Sequence, residues 1–125
     1  MIYRIDHAQF DRPELNARIE CYCNRFGLGS QAFHFVQLVV EELLNLLPLE
    51  EGLNLVLSKS DTEVRMSLDV TLPFSEKMYL DPMQAKDDLS LSIVQGLCEV
   101  IQETTDEDGR KHIHLELNKD RLLIS

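Results

Sequence analysis

The chain has 125 residues, 44% of them hydrophobic, and a formal net charge of -10 from 12 Lys+Arg against 22 Asp+Glu. One domain spanning 1–125 with its own core is the expectation, and disorder is excluded by the apolar content. So acidic a surface repels nucleic-acid phosphate and anionic lipid, which excludes nucleic acid and membrane as partners.

Ile2 to Ile5 reads as a short first strand. Asp11 and Pro13 mark a helix start, with proline in the first turn, and the helix runs to about Arg25 before the Gly27/Gly29 pair. Cys21 and Cys23, two apart on that helix, point to nearly opposite sides, a spacing for neither a disulfide nor a shared metal. All three cysteines read as reduced thiols of a cytoplasmic protein, with Cys98 in the core. There is no basic-then-apolar leader at Met1, and the apolar stretch Phe33 to Leu49 is broken by Gln37, Glu41, Glu42 and Asn45, so it is not a membrane span.

Ser30 is the expected N-cap of a second helix that Pro48 stops near Leu47. One face collects Phe33, Phe35, Val36, Val39, Val40, Leu43, Leu44, Leu46 and Leu47; the other holds His34, Gln37, Glu41 and Asn45. Glu41 and Asn45, one turn apart, can hold a hydrated Mg²⁺ and orient a water or hydroxyl. From this helix alone, the stripe reads first as the solvated side of an amphipathic helix.

The period then changes to two. Leu53, Leu55 and Leu57 alternate, as do Val64, Met66, Leu68 and Val70, with Ser60-Asp61 between, so a hairpin is expected. Phe74 to Asp88, containing Pro82, reads mostly as loop. Leu89 to Thr104 returns to helical spacing through Leu91, Val94, Leu97, Cys98 and Ile101. Asp106 to Gly109 is a turn. Ile113, Leu115 and Leu117 form a last strand, with His112 and His114 on its other face: an exposed-strand pair with no evident third metal ligand. Glu103, Asp106, Glu107 and Asp108 read as a solvated acidic turn. This order gives an α/β two-layer sandwich: a mostly antiparallel mixed sheet of about four to five strands, covered on one face by three helices.

Three segments, in order, carry a resemblance. Glu41-Glu42-Leu43-Leu44-Asn45 looks like the N box of the GHKL (histidine kinase-like) ATPase superfamily. Asp69-Val70-Thr71-Leu72-Pro73-Phe74 resembles its D-x-G-x-P-F box, and Asp88 to Val94 aligns with its G-x-G-L-x-L-V box. The branch it resembles is that of anti-sigma factors and related serine kinases, and the resemblance implies a Bergerat-like fold. It further implies Asn45 as ligand to Mg²⁺ on the ATP phosphates, Glu41 as the group polarising a water or substrate hydroxyl, and Asp69 as acceptor from the adenine amino group, beside an apolar slot that Leu68, Val70 and Phe74 can help supply. Thr71 replaces a glycine at the base; Asp88 and Ser90 replace two glycines at the phosphates, and Asp88, or its neighbour Asp87, also reads as the third helix's N-cap. ATP binding is therefore expected to be weak or absent. The implied function is an anti-sigma-like regulatory domain that binds a protein partner (a sigma factor or an antagonist). The alternative is an active serine/threonine kinase, and homodimers are common in that branch.

Overall fold

The computed structural model describes residues 1–123. Strand β1 (Ile2–Ile5) leads into helices α1 (Arg12–Arg25) and α2 (Ser30–Leu44). Strands β2 (Leu53–Lys59) and β3 (Met66–Phe74) follow, then α3 (Leu89–Leu97), β4 (Cys98–Thr105), β5 (Arg110–Leu117) and a short α4 (Lys119–Leu122). The five strands form one sheet in the order β1-β2-β3-β5-β4, every pairing antiparallel.

Strand alternation builds the two layers. Leu53, Leu55 and Leu57 of β2, Met66, Leu68, Val70 and Leu72 of β3, and Ile113, Leu115 and Leu117 of β5 are buried. They share one cluster with Leu15 and Ile19 of α1, Val36, Val40 and Leu43 of α2, Leu91 and Val94 of α3, and Leu122 of α4. The helices thus lie on one face of the sheet. The other face, uncovered, carries the alternate residues Asn54, Val56, Ser67, Asp69, Thr71, His112, His114 and Glu116.

The α/β sandwich expectation holds, with differences of detail. The N-cap of α1 is Asp11, whose carboxylate accepts from Glu14 N at 3.0 Å. Gly29, not Ser30, caps α2, and that helix ends at Leu44 with Asn45 as its C-cap. The helix expected over Leu89 to Thr104 stops at Leu97, and the rest is β4. Val100, Ile101, Thr104 and Thr105 are β-branched and stiff at χ1, which favours pleated backbone over helix. The sheet is antiparallel throughout rather than mixed, and among the described residues there are four α-helices instead of three. No helix among the described residues is long and apolar enough to cross a membrane.

Candidate functional site

The six residues singled out for nucleotide chemistry are not gathered. Glu41 and Asn45 are exposed on α2, in the helical layer. Asp69 and Thr71 alternate with the buried Leu68, Val70 and Leu72, so they face the uncovered side of the sheet. The sheet therefore stands between Asn45 and Asp69. The apolar slot expected beside Asp69 is on the wrong side as well, because Leu68 and Val70 point into the core. Asp88 accepts from Leu91 N at 3.2 Å and caps α3, occupying its carboxylate in a structural role. The residues present do not fit a bound Mg-ATP. His34 is exposed and contacts Gln37 at 3.4 Å, the solvated stripe of an amphipathic helix.

Asp69 has a different partner. Its register opposite His114 puts Oδ1 2.6 Å from His114 Nδ1, while Nε2 of the same ring lies 3.5 Å from Glu116 Oε1. Burial disfavours the imidazolium, but the hydrogen bond and charge of Asp69, joined by those of Glu116, outweigh it and raise the His114 pKa above 6.5. His112 Nε2 lies 2.7 Å from Asp106 Oδ2, a contact that lowers the Asp106 pKa together with the backbone N–H groups of Arg110 and Asp108. Each histidine thus has its own carboxylate, and no group of metal-ligating side chains forms among the described residues.

A raised pKa means the folded state holds the His114 proton more tightly than the unfolded chain. Its stabilisation is full below about 6.5 and is lost as pH rises through the higher folded value. The pair is part-exposed, 33% and 47%, so the effect stays below about 1 kcal/mol. Urea midpoints should fall between pH 6 and pH 8.5 more in the native chain than in His114→Gln. The Met1 ammonium, whose pKa is lowered by burial and by Arg25 and Arg18, is common to both and cancels in that comparison. Equal slopes would remove His114 from the account.

The buried polar centre lies elsewhere. Glu103 of β4 and Lys111 of β5 sit on the core side of the sheet, 3.1 Å apart, with side chains only 2% and 9% exposed. Glu103 also accepts from Tyr79 N at 2.8 Å and Leu80 N at 2.9 Å. The acidic-turn reading of Glu103 is thereby corrected: two backbone donors and an ammonium satisfy a carboxylate that water does not reach. The signal was in the alternation. Extending Ile113, Leu115, Leu117 back by two reaches Lys111, a cation on the core side that demands a buried acid.

These bonds pin the segment Met78–Pro82 beside β4. A groove of about 420 Å³ results, lined by Met78, Leu80, Pro82, Cys98, Glu99 and Ile101 among others. Met78 is 51% exposed, and the nearby Met83 is 84% exposed. A second cleft, at the end of the uncovered face, holds Arg4 and Arg110. Asp108 lines it too, and Asp6 pairs with Arg4 at 2.8 Å, which cancels its charge.

Cys98 lies at the groove rather than deep in the core, yet burial pushes its thiol up to about 12; burial likewise pushes Cys23 up to about 11. Both stay protonated and unreactive at pH 8. Cys21 is exposed. Native protein treated with iodoacetamide at pH 8 should gain one adduct by intact mass, at Cys21, and three only after denaturation.

No family model and no curated protein matches this sequence. Among solved structures, a chain in the crystal structure of the SiaB–SiaC complex from Pseudomonas aeruginosa is similar in fold, with a TM-score of 0.67 at 9% identity, over 94% of this chain and 88% of that one. The resemblance to the GHKL superfamily is overturned: the likeness runs to that complex rather than to a GHKL ATPase, no family model supports the boxes, and the base-reading and metal-binding anchors lie on opposite sides of the sheet.

Proposed function

We propose that this chain is a regulatory module that acts by binding another protein, in the manner of an anti-sigma-type switch, and that ATP is not its working ligand. The observation that carries the reading is the fold likeness, across nearly the whole chain, to a component of a two-protein complex. The net charge of -10 suits a partner with a basic docking surface, such as a sigma factor or its antagonist, since complementary fields speed encounter and exclude wrong partners. Three unpaired thiols suit the cytoplasm.

Tagged chain produced at native level, cross-linked in cells and sized by sedimentation and intact mass, should be recovered in a hetero-complex of fixed stoichiometry. Recovery of the chain alone would overturn the reading. Phosphate transfer from ATP to a bound partner, abolished by Glu41→Gln, would replace it with the kinase reading.

A further inference from the structure

The second cleft, on the uncovered face of the sheet, has a volume of about 340 Å³. Arg4, Asn54 and Thr71 lie abreast on β1, β2 and β3 by strand register, and bring it a guanidinium, an amide and a hydroxyl. Gly52, at φ +84°, makes room for the first of these: a Cβ there would stand 2.5 Å from Arg4 Nη2. Phe74 forms one wall. Strand parity would send it to the core side with Leu72, yet the register shifts between the two. Phe74 is 64% exposed where Leu72 is 2%. Bulges re-aim side chains in this way, often beside binding sites. The Phe74 ring lies on Gly109, also at positive φ, where a Cβ would come within 2.8 Å of Cδ2.

The other wall is the turn between β4 and β5. Asp106 Oδ1 accepts from Asp108 N at 2.9 Å and from Arg110 N at 3.0 Å, so both residues are held by their main chain. Their side chains line the cleft, and neither forms an ion pair among the described residues. Arg4 is held to Asp6 through Nε, which leaves its Nη groups. A simple anion in this cleft meets Asp108, and a simple cation meets two guanidiniums. A ligand carrying both charges meets an opposite partner for each.

We propose that this cleft binds a free α-amino acid with an apolar or aromatic side chain. Its carboxylate takes the guanidinium of Arg110, with the Arg4 Nη groups beside it, in the planar two-bond geometry that arginine offers. Its ammonium goes to Asp108, and its side chain lies against the Phe74 ring. The volume is at the small end of ligand clefts, which suits a molecule of this size. This ligand goes beyond the protein-binding reading and does not depend on it: a hetero-complex in cells is neither required nor excluded by an occupied cleft.

The probe is L-phenylalanine, titrated into isotopically labelled protein beside N-acetylphenylalanine, which has lost the ammonium, and phenylalaninamide, which has lost the carboxylate. Phenylalanine should bind in the millimolar range or tighter and shift the amide resonances of Gly52, Asn54, Thr71, Phe74, Gly109 and Arg110. Each derivative should bind about tenfold more weakly, because it leaves a charged side chain facing no partner. Both derivatives act on the native chain, so the answer does not depend on how a variant folds. Arg110→Gln should weaken phenylalanine by about tenfold and change phenylalaninamide by less than about twofold. Asp108→Asn should weaken phenylalanine by about tenfold and change N-acetylphenylalanine by less than about twofold.

No saturable shift at the solubility limit of phenylalanine, or shifts confined to residues outside the cleft, would overturn the proposal. Equal binding of N-acetylphenylalanine would overturn it by making the cleft a plain carboxylate site, and equal binding of phenylalaninamide by making it a plain cation site. Losses in the two variants that do not cross between the derivatives would overturn it as well.

Discussion

Glu103→Gln should cost about 3–5 kcal/mol of folding stability, a large share of the roughly 5–15 kcal/mol that holds a domain together. The amide leaves the Lys111 ammonium buried, 9% exposed, with no counter-charge. It also replaces one of the two oxygens that receive the Tyr79 and Leu80 N–H groups by an NH₂ donor, so one backbone donor loses its acceptor. Lys111→Met, which removes the ammonium and leaves both N–H contacts to Glu103, should cost less. The double variant Glu103→Gln/Lys111→Met should be more stable than Glu103→Gln alone, because the stranded charge is gone. Urea denaturation of the four proteins closes the cycle. Additive effects would show that the pair is not coupled as its 3.1 Å separation implies.

Leu43→Ala should cost about 2–5 kcal/mol, equivalent to a fall in melting temperature on the order of 10 °C. Leu43 is fully buried on the α2 face that meets the sheet. Its truncation removes apolar contact and leaves a void that its neighbours in the core cluster close only in part, since their rotamers are locked by close packing. Leu38→Ala, on the same helix but 41% exposed, should cost under about 1 kcal/mol. Thermal melts of the two variants read the difference. Equal losses would mean that α2 does not seat on the sheet through the Leu43 face.

Much of the fold was legible because period and punctuation agreed. Alternation in Leu53 to Leu57 and in Val64 to Val70 announced the β2–β3 hairpin, and Asp11 with Pro13 announced α1. The boundary at Leu97 was not legible. Leu91, Val94, Leu97, Cys98 and Ile101 continue a helical spacing into residues that the sheet recruits, and pairing with β5 outweighs the local pattern.

The site was less legible than the fold, for a reason of parity. A strand turns alternate side chains to opposite faces, so a motif matched letter by letter is meaningful only if its register also matches. Asp69 matched a box by type and spacing, yet it shares a face with Ser67 and Thr71 instead of Leu68 and Val70. Asp88 was readable in both ways, and the capping distance to Leu91 N decides for structure. Glu103 was hidden by its acidic neighbours: Asp106, Glu107 and Asp108 are exposed, and only the strand assignment of β4 separates Glu103 from them.

Central to the proposed function is a sheet that stands between Asn45 on the helical side and Asp69 on the uncovered side. Calorimetric titration of the native chain with Mg-ATP tests this most directly. No saturable heat up to millimolar nucleotide is the predicted result. Low-micromolar binding that disappears in Asn45→Ala and in Asp69→Asn would contradict it, since residues on opposite faces of one sheet cannot grip the same nucleotide.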